Sequence, residues 1–161
     1  MRLTFLVALT AFLLDQGSKW LVLHGLGLVE RQEIAVLPPW LTFRMAWNRG
    51  VNFGILSGLD ARWLLVGFAL VISVAVLVWV ARDHGARAPM RVSAGLLVGG
   101  ALGNVVDRLV YGAVADFLNT GLPFWHNPFS FNLADVAVFA GAIGLVLFSG
   151  ETRQKGRGKG A

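Results

Sequence analysis

The sequence predicts a mainly α-helical, polytopic membrane protein with four transmembrane helices and a small β-structure at one membrane face. Of its 161 residues, 56% are hydrophobic and 14% are charged, whereas soluble domains carry about 25% charged residues. The hydrophobic residues form four long runs, and about 20 such residues cross a bilayer as a helix. The segment from Glu30 to Asp60 instead collects prolines and charges. We expect one membrane domain over residues 1–161.

The first apolar run, about residues 3–26, predicts the first transmembrane helix. It is too long for the apolar h-region of a typical signal peptide, no small-x-small cleavage site follows it, and Asp15 and Lys19 interrupt it. These two residues are four apart and share a helix face. They indicate either a structural ion pair or a pair that supports a polar site.

The second segment, about residues 28–60, predicts the β-structure. Ile34–Leu37 and Trp40–Trp47 are short, rich in β-branched and aromatic residues, and partly alternating. The sequence WNRGVNFGIL follows and contains Asn48. Its glycines suit turns or close approaches. The tryptophans of this region favour simple anchoring in the headgroup layer.

Three further runs predict the remaining transmembrane helices, at about residues 62–81, 92–111 and 133–149. In the third helix, Gly95, Gly99 and Gly103 recur every four residues, a spacing that lets helices approach closely in lipid. The tail, residues 151–161, is basic and glycine-rich.

Basic residues are unevenly divided between the two ends of these helices. Eight of the 14 lie on the side that holds both termini: Arg2, Arg82, Arg87, Arg91, Arg153, Lys155, Arg157 and Lys159. The positive-inside rule therefore places both termini and the tail in the cytoplasm. The β-structure and the loop before the fourth helix then face outward.

Polar residues concentrate near this outward end. Asn104, Asp107 and Arg108 stand at i, i+3 and i+4 of the third helix. Buried charges so close together usually satisfy each other or other buried partners, which favours a structural role for Asp107 and Arg108. Gly112 is expected to end the helix, so that AVADF leads Asp116 out as an extended segment.

A second acid follows at the start of the fourth helix. Asn132 and Asp135 are three apart, so their side chains project to the same side, and a helix N-terminus favours an anion such as Asp135. Two close carboxylates that share one proton supply both the base and the acid for peptide hydrolysis. We therefore predict that Asp116 and Asp135 form a hydrolytic pair. The residues do not indicate which one is the base.

Other chemistries find little support in the sequence. There is no cysteine, and His24, His84 and His126 are isolated, without metal-ligand spacing. Ser18 and Lys19 are adjacent and face different sides of a helix, and no GxSxG motif occurs. No phosphate-binding loop or basic stripe for nucleic acid is present. We expect no metal, no cofactor and no nucleic-acid partner.

Five motifs together resemble the lipoprotein signal peptidase (signal peptidase II) family of aspartyl membrane peptidases. They cover about residues 3–150: DQGSK at 15–19, Asn48 in WNRGVNFG, GNVVDR at 103–108, VADF at 114–117 and FNLAD at 131–135. The resemblance implies four transmembrane helices with an extracytoplasmic β-cradle. It implies an endopeptidase of the bacterial inner membrane that cleaves prolipoproteins just before a diacylglyceryl-modified cysteine and is blocked by globomycin.

The resemblance also implies roles for individual residues. The motif aspartates map onto Asp116 and Asp135 as the catalytic pair. Substrate-binding or site-supporting roles are implied for seven further positions: Asp15, Lys19, Asn48, Asn104, Asp107, Arg108 and Asn132. The family often has Asn-x-Gly-Ala-Ala-Phe where this chain has Asn48-Arg49-Gly50-Val51-Asn52-Phe53. Arg49 and Asn52 therefore alter the polarity expected at the site entrance.

Two other functions are compatible with intramembrane charges. A small transporter or channel would use Asp and Lys to line an ion path, although here the polar residues cluster near one face. In a structural membrane subunit, either aspartate would contribute to stability alone.

Overall fold

The computed structural model describes residues 1–50, 61–125 and 127–149. The predicted cradle positions 51–60, including Asn52, and the predicted tail lie outside these residues. The helices are α1 (Arg2–Trp20), which continues as a π-helical turn (Leu21–Gly25), α2 (Leu28–Arg31), α3 (Ala61–Arg82), α4 (Ala88–Tyr111) and α5 (Leu133–Ser149). The strands are β1 (Glu33–Leu37), β2 (Leu41–Asn48) and β3 (Val114–Thr120).

Three of the described helices are long and apolar enough to cross a membrane: Arg2–Gly25, Ala61–Arg82 and Ala88–Tyr111. The fourth apolar helix, α5, has 17 described residues and is shorter. The fold is therefore mainly helical and fits a multi-pass membrane protein, with three confirmed candidate spans among the described residues.

Helix α4 lies at the centre and packs against α1, α3 and α5. It begins four residues before the expected position 92, because Pro89 suits the first turn of a helix. It ends at Gly112, whose φ of 76° is the left-handed conformation that glycine adopts readily.

The glycines of α4 permit its close contact with α1. A Cβ at Gly95 would lie 2.7 Å from the backbone oxygen of Thr4, and one at Gly103 would lie 2.5 Å from Asp15 Oδ2. The close approach predicted from the glycine spacing is confirmed. Small and polar residues of α1 form its buried face, namely Thr4, Ala8, Ala11, Asp15 and Lys19.

The sheet is antiparallel, in the order β1-β2-β3. The first two strands lie close to their predicted positions. The extended segment predicted around Asp116 is a third strand, a pairing that the sequence did not indicate. Ala115 and Phe117 of β3 join a buried cluster with Val22 and Leu23 at the end of α1. The sheet therefore lies across one end of the helix bundle.

Candidate active site

Asp116 lies in β3 with its side chain 3% exposed. Alternation along a strand directs it away from the face formed by its neighbours Ala115 and Phe117. Asp116 stands opposite Ala46 of β2 in the strand register. Asn48, at the end of β2, donates from Nδ2 to Asp116 Oδ2 over 3.1 Å. The β-structure thus supplies both this acid and one of its hydrogen-bond donors.

Asp135 is the third residue of α5 and takes part in the cap of this helix. Asn132 Oδ1 accepts a hydrogen bond from the Asp135 N–H at 2.9 Å, and Asp135 Oδ2 accepts one from the Asn132 N–H at 3.3 Å. This reciprocal pattern is a capping box, with Asn and Asp in place of the commoner Ser and Glu. The cap fixes the Asp135 side chain relative to the helix axis.

Asn132 connects the two acids. Its Nδ2 donates to Asp116 Oδ1 at 2.7 Å, while its Oδ1 holds the Asp135 N–H. The residue is completely buried. Asn104 of α4 completes the arrangement by donating from Nδ2 to Asp135 Oδ1 at 2.9 Å. Asn48 therefore donates to the Asp116 carboxylate and Asn104 to the Asp135 carboxylate. Asn132 donates to both carboxylates, from Nδ2 to Asp116 and from its backbone N–H to Asp135.

Burial and the nearby negative charge of Asp135 raise the pKa of Asp116 from 3.8 to about 7. Hydrogen bonds from Asn48 and Asn132, and the positive charge of Lys19, offset part of this increase. Asp116 therefore carries a proton over much of the neutral pH range, as an acid for amide hydrolysis must.

Asp15, Lys19 and Asp107 form a buried group between α1 and α4, called here the Lys19 cluster. Lys19 Nζ lies 2.7 Å from Asp15 Oδ2 and 2.7 Å from Asp107 Oδ2. The expected ion pair of Asp15 and Lys19 is present, and Lys19 also pairs with a second acid, Asp107. Asp107 thus pairs with Lys19 of another helix, while the adjacent Arg108 donates to the backbone oxygen of Asn104 at 3.2 Å.

Arg108 and Asn104 lie at the polar end of a cavity of about 240 Å³. The rest of its lining is apolar and comes from α3, α4 and α5: Leu65, Phe68, Ala69, Ile72, Leu97, Ala101 and Val138. Arg108 also lies within electrostatic range of Asp135 and Asp116. The cavity is therefore bordered by Asn104, which donates to Asp135, and by Arg108, which lies near both acids.

Gln16 is a site residue that the sequence interpretation missed. Its Nε2 lies 3.0 Å from Asp107 Oδ1, 3.2 Å from Asp15 Oδ2 and 3.2 Å from the Gly103 backbone oxygen. A polar amide inside an otherwise apolar span was the available signal. Among the described residues, no group of three or more His, Cys, Asp or Glu side chains is placed to hold a metal ion.

The fold and this site define a multi-pass membrane protein with two linked carboxylates at one end of its helix bundle. The chain belongs to the signal peptidase II family, since the family model described as signal peptidase (SPase) II matches residues 7–150. It is therefore a protease, and the transporter alternative is not favoured.

Named relatives agree over most of the chain. The lipoprotein signal peptidase of Methylorubrum extorquens (strain PA1) is 44% identical over 147 residues, which span 89% of this chain and 84% of the relative. That of Yersinia pseudotuberculosis serotype O:1b (strain IP 31758) is 39% identical over 146 residues, covering 89% and 83%.

A solved structure shares the fold. A bacterial membrane enzyme determined by the in meso method at 2.3 Å resolution matches with a TM-score of 0.76 and 26% sequence identity. The match covers 98% of this chain and 93% of that chain.

Proposed function

We propose that Asp116 and Asp135 are the catalytic pair with which this protease removes signal peptides from prolipoproteins. The observation that carries the proposal is the connection of both carboxylates to the buried Asn132, which donates from Nδ2 to Asp116 Oδ1 and from its backbone N–H to Asp135 Oδ2. Carboxylates held so close disfavour simultaneous ionisation, so one retains a proton.

The different surroundings of the two acids support different roles for them. Asp116 is almost fully buried and its pKa is about 7, so it is the acid. Asp135 is partly exposed and lies at a helix N-terminus, which stabilises a negative charge. Asp135 is therefore the base.

Hydrolysis then follows in two balanced steps. Asp135 takes a proton from water as the water oxygen attacks the scissile carbonyl carbon, and Asp116 gives its proton to the carbonyl oxygen. In the second step the protonated Asp135 transfers its proton to the leaving nitrogen, the C–N bond breaks, and Asp116 recovers a proton from a hydroxyl of the intermediate. Both acids return to their starting states.

The remaining predicted residues support the pair. Asn48 and Asn132 orient Asp116, and Asn104 orients Asp135. Arg108, at the polar end of the cavity, is placed to contact the substrate backbone or its lipid ester groups. The Lys19 cluster lies behind the acids and supports them structurally.

The substrate is a prolipoprotein whose cysteine carries diacylglycerol, cleaved just before that cysteine. Relatives named lipoprotein signal peptidases support this substrate class. The apolar cavity between α3, α4 and α5 suits lateral entry of a lipid chain or signal helix from the bilayer. Its polar end brings the scissile bond toward Asp135. Membrane lipids are the surrounding partner, and globomycin-type peptides are the expected inhibitors.

The topology completes the proposal. Helix α5 is the fourth span, which places both termini in the cytoplasm of the bacterial inner membrane and the acids at the extracytoplasmic face. The excess of basic residues on the terminal side supports this orientation. Helix α5 rises about 1.5 Å per residue, and local bilayer thinning accommodates a short span at modest cost.

A cleavage assay tests the function and the catalytic pair together. Purified wild-type protein should cleave a diacylglyceryl-modified prolipoprotein and leave the unmodified precursor intact, and globomycin should block cleavage. Asp116→Asn and Asp135→Asn should each abolish turnover. Asp83→Asn, in the loop between α3 and α4, is the matched control and should retain it. Full processing by both dyad variants would refute the assignment.

A further inference from the structure

The Lys19 cluster touches the backbone immediately before each proposed catalytic acid. Asp15 Oδ1 accepts a hydrogen bond from the Ala134 N–H at 2.9 Å, and Ala134 precedes Asp135. Asp107 Oδ2 accepts one from the Ala115 N–H at 3.1 Å, and Ala115 precedes Asp116. Both alanines are completely buried, so these two N–H groups depend on partners within the protein.

Lys19 joins these two contacts into one unit. Its Nζ is 2.7 Å from a carboxylate oxygen of Asp15 and 2.7 Å from one of Asp107, and the residue is 4% exposed. Gln16 connects the same two carboxylates a second time through its Nε2. Charge-assisted bonds of this kind are short and strong, so the two carboxylates have a fixed separation.

The cluster also reaches the acids through a side chain. Asn104 Oδ1 lies 3.5 Å from Lys19 Nζ and 3.3 Å from Asn132 Nδ2. With its oxygen turned toward these donors, Asn104 presents its Nδ2 to Asp135 Oδ1. Lys19 thereby favours the amide orientation that the Asp135 contact requires.

We propose that Asp15, Lys19, Asp107 and Gln16 are positioning residues that set the distance between the two catalytic carboxylates by holding the backbone before each of them. The two acids repel each other when both are ionised, and a flexible connection would let them separate. The cluster opposes that separation through its hydrogen bonds to the Ala115 and Ala134 N–H groups, without contacting the substrate. This inference rests on the proposed catalytic pair.

Two glycines of α4 provide a matched test. At both Gly103 and Gly95, an added Cβ would press on α1, at 2.5 Å from Asp15 Oδ2 and at 2.7 Å from the Thr4 backbone oxygen respectively. Both substitutions crowd the same helix pair, but only Gly103→Ala displaces the Asp15 carboxylate. It does so without changing any charge of the cluster.

Gly103→Ala should lower kcat for the diacylglyceryl-modified prolipoprotein by about 100-fold, the loss expected from a misplacement of about 1 Å. KM should stay within about threefold of wild type, because the substrate contacts are unchanged. Gly95→Ala should retain kcat even where its melting temperature falls as much. Asp107→Asn tests the contact on the Asp116 side and should reproduce the kcat loss. Asparagine has no charge for Lys19, and its NH2 group would face either the Gln16 donor or the Lys19 and Ala115 donors.

The pH profile supplies a readout that a purely structural defect would leave in place. When the carboxylates separate, the repulsion from Asp135 weakens and the pKa of Asp116 falls. The alkaline limb of kcat should therefore move to lower pH in Gly103→Ala and Asp107→Asn, and remain in place in Gly95→Ala.

Two results would overturn the inference: wild-type kcat and pH profile in Gly103→Ala, or equal kcat losses in Gly103→Ala and Gly95→Ala that follow their melting temperatures. Failure of the wild-type protein to cleave, or cleavage by Asp116→Asn, would instead refute the proposed function.

Discussion

Replacing Asp116 by asparagine should make the protein more stable at alkaline pH while abolishing its activity. The pKa of Asp116 is raised from 3.8 to about 7, first by burial and then by Asp135. The folded protein thus binds this proton more tightly than the unfolded chain does. Below pH 3.8 Asp116 is protonated in both states and leaves the stability of the folded protein unchanged. Between pH 3.8 and about pH 7 the stability falls as the pH rises, and above about pH 7 the full cost of the buried charge is reached.

The size of the effect follows from the pKa difference. Each unit corresponds to about 1.4 kcal/mol, so ionised Asp116 destabilises the folded state by about 4 kcal/mol at pH 8. Asparagine has no charge to bury, but its single oxygen cannot accept from both Asn48 and Asn132. Losing one such hydrogen bond costs about 1 kcal/mol. The net gain is about 3 kcal/mol, or roughly 6–12 °C in melting temperature for a chain of this size.

Thermal unfolding of the detergent-purified protein at pH 5, 6, 7 and 8 measures this gain. The melting temperature of the wild type should fall up to about pH 7 and then level off, while that of Asp116→Asn stays nearly constant, so that the gap between the two curves widens from pH 5 to about pH 7. Asp83→Asn should follow the wild type, since the Asp83 side chain accepts a hydrogen bond from the nearby Gly85 N–H through an oxygen that asparagine preserves. Parallel curves for the wild type and Asp116→Asn would refute the reasoning.

Three other outcomes are expected. Asn132→Ser should keep the α5 cap and lose the hydrogen bond to Asp116, so that activity falls with little loss of stability. Asn132→Ala should lose the cap as well, at a cost of about 1 kcal/mol of stability. Equal melting temperatures for the two variants would contradict the capping role. Ala101→Phe should fill the apolar cavity and raise KM for the lipidated substrate more than it lowers kcat, and an unchanged KM would exclude this cavity as the lipid site. Phe124, 85% exposed in an uncharged loop, should lie in the headgroup layer. The chain lacks cysteine, so a fluorophore can be attached at Phe124→Cys alone, and brominated lipids should quench it. A fluorophore on Asp83→Cys, in the short loop between α3 and α4, serves as the comparison.

Much of the fold follows from hydrophobic patterning alone. Long apolar runs specify α1, α3 and α4, since a helix is the form in which an isolated segment satisfies its backbone in lipid. The third strand was harder to predict, because β3 is buried on both faces over Val114–Phe117 and shows no alternation. Its pairing with β2 depends on contacts between residues 68 positions apart, such as Asn48 with Asp116.

The candidate site was predictable as a set of residues but not as a network. Spacing within one helix relates Asp15 to Lys19 and Asn132 to Asp135. It does not show that Lys19 also pairs with Asp107 of another helix, or that Arg108, beside Asp107, lines the cavity. Nor can it show that the N–H groups of Ala115 and Ala134 are the partners of the cluster, since alanine side chains carry no sign of their backbone contacts.

The hydrogen bond from Ala134 to Asp15 joins residues 119 positions apart, and so links α1 with α5, the first and last of the described helices. A chain whose first three long helices have entered the membrane contains Asp116 but lacks Asp135, Asn132 and the Ala134 contact. The proposed hydrolytic centre is therefore completed only when α5, which follows the other described helices in the chain, packs against α1 and α4.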